Sequence, residues 1–459
     1  PFGDTEQYAQ KLNITIASGD LPDIFLVNKL QFKQLIDSDQ IQDLTEVFEK
    51  YASEDTKKIL TLSGPEPMET AKFGGKLMGL PWTTLFKENV HLLYIRADWM
   101  KNLNLPEPKN MDDVLKISEA FTKQDPDQNG KDDTFGFVFE KTFEFHRGFF
   151  NSYHAYLDMW IKDDSGNLVF SNIQPEMKKA LEALQHLYKT GQIDREFATK
   201  DLTKAAESLS SGKAGMFYGP FSIPVWPLQA GKNLDPNMEY NYYPLLSADD
   251  KPATPQYSIS GILGYWVARK GNPKFGEALV KMMNAFVDKY LHRTVGNNND
   301  YISMEGAGEM YHSAYVRTYK DFGNLETRNL FVDVMKGNKS MDVLDEGQKK
   351  MVEDFIKFAK GEGSIENWGM FNIYTERSSL AVIDYYNKNN LFKMDEFYGP
   401  ATDSMVSKMP NLNKLRDEYF TKIITGASID EFDKYVSEWK RQGGDDITKE
   451  VNKWYRSIK

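Results

Sequence analysis

Apolar runs of strand length alternate with amphipathic stretches through the first 290 residues of the chain. Turn-forming Gly, Pro, Asn and Asp bound these runs, which is typical of buried strands. The runs predict strands at 13–17, 23–27, 74–82, 91–95, 133–139, 214–218 and 261–269. The amphipathic stretches between them predict helices at 29–37, 43–52, 110–123, 175–190, 200–211 and 272–290.

Helix signals dominate the rest of the chain. Asn110 is a predicted helix cap, and Asn272-Pro273 places a cap and a first-turn proline before another helix. Beyond residue 290, further helices are predicted at 344–360, 374–389, 411–425, 428–441 and 445–457. Strands that alternate with helices, followed by helices alone, indicate an α/β architecture with a helical C-terminal region.

Composition narrows the class of protein. A chain of 459 residues is too long for one ordinary core, so two domains are expected. The net charge of −11 without a basic stripe argues against nucleic acid, and no apolar run reaches the roughly 20 residues of a membrane span. Absent cysteine excludes disulfides and thiolate chemistry, and the six histidines lack metal-ligand spacing, so no zinc site is predicted.

A calcium-loop pattern occupies residues 125–133, which read Asp-Pro-Asp-Gln-Asn-Gly-Lys-Asp-Asp. Hard cations need several oxygens from one short segment, and a glycine at position 6 permits the tight turn. The predicted ligands of this structural Ca²⁺ are the side chains of Asp125, Asp127, Asn129 and Asp133 and the backbone carbonyl of Lys131.

One position departs from the full calcium-loop pattern. Gly136 stands at position 12, where a bidentate glutamate would close the site. We therefore expect a smaller ligand set, or a carboxylate borrowed from Asp132, Glu140 or elsewhere. The alternative interpretation is a solvated Asp/Asn/Gly turn between a helix and a strand.

Several motifs, in a consistent order, resemble one protein family. They are 17–24 (Ala-Ser-Gly-Asp-Leu-Pro-Asp-Ile), 79–81 (Gly-Leu-Pro), 89–98 with its Pro-containing linker, 125–133, 212–216 leading to Gly219-Pro220, and Gly443-Gly444. The chain resembles extracellular solute-binding proteins of carbohydrate ABC importers, the family that includes maltose-binding protein. It is most similar to the large lipoprotein members of Gram-positive bacteria.

The resemblance implies a two-lobed periplasmic-binding-protein-like (type II) α/β fold with hinge strands. The N-terminal lobe is expected to comprise 1–95 and 262–398, and the C-terminal lobe 96–261 and 399–459. The hinge is expected near 90–97 and 258–266, with a C-terminal crossing near 395–402. Family members carry a strand and a helix before the segment that matches 8–16, and the role of the helical insertion 291–398 stays open.

A sugar site needs flat apolar faces for the rings and planar polar groups for the hydroxyls. Family-matched positions and an aromatic-rich stretch at 149–154 supply both. The candidate ligand contacts are Asn28, Lys29, Gln31, Trp82, Phe86, Glu88, Tyr153, Trp160, Phe221, Trp226 and Trp368. Each aromatic could instead pack in a core, as we expect for Trp266 and Trp439.

The resemblance implies non-catalytic, extracellular capture of an oligosaccharide by lobe closure and its delivery to the transmembrane subunits of an ABC permease. A monomer anchored to the cell surface by an N-terminal lipid is expected. The alternatives are a glycoside hydrolase or polysaccharide lyase, which would need paired carboxylates, and a calcium-stiffened surface adhesin. The sequence carries no HExxH, Gly-x-Ser-x-Gly or P-loop motif, and fructan, pectin-derived, xylan-derived and host-glycan oligosaccharides all fit.

Overall fold

The computed structural model describes residues 5–83, 85–258, 262–291 and 314–458. Its strands are β1 (Ile24–Val27), β2 (Lys72–Phe73), β3 (Lys76–Leu77), β4 (Leu80–Trp82), β5 (Leu92–Arg96), β6 (Phe135–Phe137), β7 (Trp160–Lys162), β8 (Leu168–Phe170), β9 (Ala214–Gly219), β10 (Tyr240–Tyr243), β11 (Gln256–Tyr257), β12 (Gly264–Ala268) and β13 (Lys393–Met394).

The α-helices of the described residues connect and cover these strands. They span Thr5–Ser18, Lys29–Asp37, Thr45–Tyr51, Glu54–Leu60, Glu66–Glu69, Ala97–Asn102, Met111–Lys123, Arg147–Ser152, Pro175–Lys189, Leu202–Ser210, Gln229–Leu234, Lys274–Phe286, Gly323–Met335, Glu346–Ala359, Trp368–Tyr374, Ser379–Lys388, Asp403–Ile424, Glu431–Trp439 and Asp445–Ser457.

The first lobe is built on a three-stranded antiparallel sheet in the order β1-β12-β4. Its core includes Leu12, Phe25, Phe32, Trp266 and Val280, which come from both the start of the chain and the segment after residue 262. These two stretches of sequence therefore fold as one unit, because β12 lies between the two strands from the start of the chain.

The second lobe is built on a four-stranded sheet in the order β10-β5-β9-β6. β5 pairs antiparallel with both β10 and β9, and β6 runs parallel to β9. Its core is larger and is rich in aromatic side chains. The C-terminal helices contribute Phe420, Trp439 and Tyr455 to this core.

Of the segment 262–398, predicted in the first lobe, the described residues 262–291 and 314–316 belong to that lobe, whereas those from 322 onward do not. Trp368, Tyr386 and Phe397 pack in the core of the second lobe, together with β5 and β9. Phe331 and Phe355 belong to a third, smaller cluster between these helices. The insertion is thus mostly an extension of the second lobe, since its apolar faces pack against that core.

The chain passes between the two cores at three places in the described residues. It leaves the first lobe between Trp82 and Leu85, and it re-enters that lobe between Tyr257 and Ile262. It leaves again between Val316 and Phe322.

Two predicted hinge segments are wrong. The segment 90–97 lies inside the second lobe as β5, and 395–402 stays with that lobe because Phe397 is part of its core. The third predicted hinge, 258–266, falls partly outside the described residues.

Two of the crossing segments are bonded to each other. Thr83 Oγ1 lies 2.6 Å from Thr318 Oγ1 and 2.8 Å from the carbonyl oxygen of Tyr319, to which it donates. Glu88 accepts a hydrogen bond of 2.6 Å from the backbone N–H of Leu325. The link between the lobes is therefore a paired, partly buried structure.

Residues 13–17, predicted as a strand, belong to the helix Thr5–Ser18. Leu12 and Ile16, four positions apart, are buried, while Ile14 is 72% exposed, so the segment follows the helical period. The predicted helix 374–389 is shorter in the structure, where it spans Ser379–Lys388, and Tyr374 instead ends a separate helix, Trp368–Tyr374. By contrast, the cap at Asn110 is confirmed, because its Oδ1 accepts a 3.0 Å hydrogen bond from the backbone N–H of Asp113.

Candidate functional site

The candidate site begins at one edge of the first-lobe sheet. The end of β1 lies opposite the start of β12, and the end of β4 lies opposite Gly264 of β12. The chain departs for the second lobe just beyond this edge, so the edge faces the junction of the lobes. It carries Lys29, directly after β1, and Trp82, the last residue of β4. We call Lys29, Trp82 and Arg317 the first-lobe rim.

Trp82 offers a large, half-buried aromatic surface on this rim. The Arg317 guanidinium lies 4.7 Å from its ring centroid, and the Trp266 ring packs 5.7 Å away. The indole Nε1 of Trp82 is buried and has no hydrogen-bond partner among the described residues. Because this N–H has no accessible surface, the part of Trp82 that a ligand could contact is its ring.

Lys29 extends from the first lobe to the second. Its ammonium lies 5.2 Å from the ring centroid of Phe397. Burial lowers the pKa of Lys29 to about 8, although the nearby carboxylate of Asp395 acts in the opposite direction. Lys87, next to the crossing, likewise lies 5.7 Å from the ring of Tyr257. Cations and aromatic rings therefore face each other where the lobes meet.

A second set of groups at this junction is acidic and aromatic. Burial raises the pKa of Tyr257 to about 12, and the carboxylates of Glu66, Asp321 and Glu396 add to the shift. Burial together with carboxylates of both lobes also raises the pKa of Tyr398. The sequence analysis missed this set, although the run Asp-Glu-Phe-Tyr at 395–398 has the right chemistry.

A cavity of about 600 Å³ separates helices of the two lobes beside this junction. Leu30 and Lys33 line it from the first-lobe helix Lys29–Asp37, and Asp403 and Val406 line it from the second-lobe helix Asp403–Ile424. Lys33 Nζ lies 3.8 Å from an oxygen of Asp403. The two lobes are thus in contact at Lys33 as well as at Lys29.

Two of the predicted ligand contacts, Asn28 and Gln31, instead form the N-terminal cap of a helix. Asn28 Oδ1 accepts a 2.9 Å hydrogen bond from the backbone N–H of Gln31, and Gln31 Oε1 accepts one of 3.1 Å from the backbone N–H of Asn28. Gln31 Nε2 also donates to Asn13 Oδ1 at 2.7 Å. Gln31 is buried, and its side chain fixes the start of the helix rather than facing a ligand.

Glu88 and Phe86 are buried at the crossing rather than exposed in a cleft. Glu88 accepts hydrogen bonds from Asn324 Nδ2 at 2.8 Å and from the backbone N–H of Leu325. Burial raises the pKa of Glu88 to about 7 despite these two bonds, and the neighbouring Asp321 adds to the shift. The physical role of Glu88 is to join the crossing segments.

The predicted aromatic contacts of the second lobe are not brought together at the rim. Trp160 packs between Phe170 and Phe397, and Trp368 is 1% exposed and donates from Nε1 to Glu239 at 3.1 Å. In this structure neither tryptophan offers a ring face to a ligand.

Three further candidates differ in exposure. Phe221 is also buried, and its carbonyl accepts a 2.7 Å hydrogen bond from Ser379 Oγ. Tyr153 is partly buried against Phe149, whereas Trp226 is 50% exposed. The packing predicted for Trp266 and Trp439 is confirmed, since both are buried in the cores.

The oxygens of the loop 125–133 converge on Asn129. Asn129 Nδ2 donates to Asp127 Oδ2 at 2.7 Å and to Asp133 Oδ1 at 3.2 Å, and its backbone N–H donates to Asp125 Oδ1 at 3.1 Å. Burial and the neighbouring carboxylates raise the pKa of Asp127. Gly130 has a φ of +76°, which suits a glycine at the turn. Such donors fit a hard cation.

The loop is not arranged as a complete ligand set. Among the described residues, no group of three or more His, Cys, Asp or Glu side chains has the arrangement of a metal site. Glu140, one of the expected closing ligands, instead accepts hydrogen bonds from the backbone of Glu144 and Phe145. Its carboxylate therefore holds the following turn and does not close the loop.

Comparison with known families identifies the class of protein. Residues 1–288 match the family described as bacterial extracellular solute-binding protein, and the chain belongs to this family. The predicted family is therefore confirmed. No helix in the described part of the chain has the length and apolar character that crossing a membrane requires.

Particular relatives cover most of the chain. Lipoprotein LipO of Bacillus subtilis (strain 168) is 25% identical over 98% of this chain and 85% of its own length. The solved structure of the S. pneumoniae ABC-transporter substrate-binding protein FusA in complex with kestose has a TM-score of 0.63 at 18% identity, covering 100% of this chain and 93% of that one.

A further solved structure has the same architecture. The HMO-binding, ABC-transporter-associated solute-binding protein of Bifidobacterium longum infantis has a TM-score of 0.65 at 15% identity, covering 98% of this chain and 90% of that one. These similarities confirm the two-lobed α/β fold.

The buried Glu88 predicts a pH-dependent stability. Its pKa in the folded chain is raised from 4.5 to about 7, so its stabilising contribution is complete below pH 4.5 and is lost as the pH rises through 7. We expect Glu88→Gln to gain up to about 3 kcal/mol in unfolding free energy relative to the wild type between pH 4.5 and 8. Denaturant unfolding at both pH values measures this difference. The exposed Glu362→Gln is the control, and a Glu88→Gln effect that is equal at both pH values would contradict the prediction.

Proposed function

We propose that the protein captures an oligosaccharide between its lobes outside the cell and delivers it to the permease of an ABC importer. The observation that carries this proposal is the first-lobe rim, where Trp82 presents a half-buried ring beside the Arg317 guanidinium. An aromatic surface beside cations of its own lobe, with aromatic rings of the second lobe opposite, suits the apolar faces and hydroxyls of a sugar.

The names of related proteins support the same ligand class. FusA of Streptococcus pneumoniae, 26% identical over 46% of this chain, is a fructooligosaccharide ABC transporter substrate-binding protein. YtcQ of Bacillus subtilis, 28% identical over 46% of the chain, is a polygalacturonan/rhamnogalacturonan-binding protein. These two ligands differ in charge, so the ligand we propose is defined as an oligosaccharide and not as one particular sugar.

Lobe closure provides the mechanism. A ligand that contacts both lobes stabilises the closed form more than the open form, and it shifts the population toward closure by that difference in affinity. Lys29 suits this role because it already reaches from the first lobe to Phe397 of the second. The bonded crossing segments at Thr83 and Glu88 would guide the rotation and keep the lobes in register.

The proposal predicts that Trp82→Ala weakens oligosaccharide binding at least 10-fold, which corresponds to about 1.4 kcal/mol of lost stacking on the ring. Titration calorimetry against fructan, galacturonan and xylan oligosaccharides measures the affinity. Tyr188→Ala, in a second-lobe helix, is the control and should bind like the wild type.

Chromatography of the same mixtures separates binding from catalysis. We expect the oligosaccharides to be recovered intact, because solute binding requires no bond cleavage. Shortened products would instead support the hydrolase or lyase. If a sugar binds Trp82→Ala as tightly as it binds the wild type, the first-lobe rim is not part of the binding site.

We also propose that the loop 125–133 binds a structural Ca²⁺. The side chains of Asp125, Asp127, Asn129 and Asp133 would hold the ion, and the Lys131 carbonyl would complete this set. The crowded carboxylates support the proposal, because their mutual repulsion, together with burial, raises the pKa of Asp127 and a divalent cation would relieve that repulsion. The ion would stiffen the connection between the helix Met111–Lys123 and β6.

Removal of calcium is therefore expected to lower the melting temperature by several degrees, since an ion at 100 times its Kd stabilises the folded state by about 2.7 kcal/mol. Calorimetric melts with calcium and with EDTA measure the change. Asp127→Asn should abolish the calcium-dependent shift, whereas Asp164→Asn, in an exposed turn, should retain it. A wild-type melt that is identical in calcium and EDTA would refute the site.

We propose further that the protein acts as a monomer held at the cell surface by an N-terminal lipid outside these residues. The relative LipO is named a lipoprotein, which supports the anchor. Light scattering of the chain should give one copy of 52.8 kDa, and a dimer mass would contradict the monomer.

A further inference from the structure

The second lobe carries a cavity that the proposed function does not use. Its volume is about 770 Å³, and every residue that lines it belongs to the second lobe and its helical extension. β10 forms one wall, and the other wall runs from Asn372 to Tyr385 across two helices. We call it the tyrosine groove, after the lining residues Tyr240, Tyr242, Tyr243 and Tyr385.

The wall formed by β10 contains polar groups without partners. β10 is the edge strand of its sheet and pairs only with β5 among the described strands, so alternate backbone groups face outward. The hydroxyls of Tyr240 and Tyr242 are buried and have no hydrogen-bond partner among the described residues, and Tyr240 is only 4% exposed. These hydroxyls have no accessible surface, so the outward-facing backbone groups of β10 are the ones that a ligand rich in hydroxyls could reach.

Other side chains of the groove are already held in position. Tyr243 Oη donates to Glu107 and accepts a 3.1 Å hydrogen bond from Asn241 Nδ2. Asn372 Nδ2 donates to the carbonyl of Trp368 at 2.9 Å, which leaves its Oδ1 free to accept. Fixed amide and carboxylate groups beside aromatic rings are the usual constituents of a carbohydrate site.

Tyr385 gives the groove its exposed aromatic face. It is 46% exposed on the helix Ser379–Lys388, and its hydroxyl has no hydrogen-bond partner among the described residues. Tyrosine supplies contact area to a sugar ring at little cost in side-chain entropy, because only two torsions become fixed.

The groove carries two carboxylates, Glu107 and Glu376, and one guanidinium, Arg377. Glu376 pairs with Lys336 at 2.5 Å, and Glu107 bonds to Tyr243. Arg377 is exposed and has no salt-bridge or hydrogen-bond partner in the described part of the chain. A free guanidinium binds a carboxylate in a bidentate manner, so this corner of the groove suits a sugar acid.

We propose that the tyrosine groove is a second carbohydrate-binding site, for a segment of a uronic-acid-containing glycan. All of it lies on one lobe, so its occupancy does not require lobe closure. The site is thus distinct from the cleft between the lobes, and it could hold either a free oligogalacturonide or a polymer. An extended peptide added to β10 is less favoured, because this edge is only four residues long.

Affinity gel electrophoresis of the intact chain tests the proposal. Gels contain polygalacturonate, with neutral hydroxyethylcellulose as the comparison polymer, and EDTA excludes calcium bridging. We expect polygalacturonate to retard the wild type, and the dissociation constant to rise at least 10-fold in Tyr385→Ala and in Arg377→Gln. Tyr188→Ala should be retarded like the wild type, and Trp82→Ala measures how much of the retardation comes from the cleft.

The other outcomes overturn the proposal. Absence of retardation excludes a site for the polymer, and titration with hexagalacturonate then decides whether a free oligomer binds the groove. If neither polygalacturonate nor hexagalacturonate binds, the proposal is refuted. Retardation lost in Trp82→Ala but kept in Tyr385→Ala assigns all binding to the cleft. If hydroxyethylcellulose retards the chain as much as polygalacturonate does, and Arg377→Gln changes neither result, the groove does not recognise a sugar acid. Binding of a Thr-Val repeat peptide without glycan binding shows edge pairing instead.

Discussion

The pairing of two crossing segments is the constraint on which the architecture depends. Thr83 bonds to Thr318, and the buried carboxylate of Glu88 accepts from the start of the helix Gly323–Met335. The two lobes have separate cores, so these contacts determine where one lobe lies relative to the other. A carboxylate kept in a buried position, at the cost of a raised pKa, indicates that the crossing is held by specific hydrogen bonds and not only by apolar packing.

The location of the candidate cleft follows from this crossing. Residues of both lobes face each other beside the crossing segments. Lys29 and Trp82 come from the first lobe, whereas Tyr257 and Phe397 come from the second. Ligand binding and lobe position are therefore coupled through the same few residues, which is the physical requirement for a binding protein that closes on its ligand.

The helical extension of the second lobe separates two surfaces of different character. Trp368, Ser379 and Tyr386 pack against the sheet and bury the Phe221 region that the sequence pattern assigned to a ligand. The same packing leaves the outer edge of β10 open, and this creates the tyrosine groove. One packing event thus closes one candidate sugar surface and forms another.

The sequence alone determined the family, the alternation of strands and helices, the cap at Asn110 and the presence of acidic and aromatic chemistry, because these depend on local order and periodicity. Trp160 and Trp82 are both candidate ligand contacts by sequence. Only the tertiary structure decided that Trp160 is buried and Trp82 lies on the rim, because burial depends on which distant segment covers a residue. The crossing points were likewise decided by contacts between residues that lie more than 230 positions apart in the sequence.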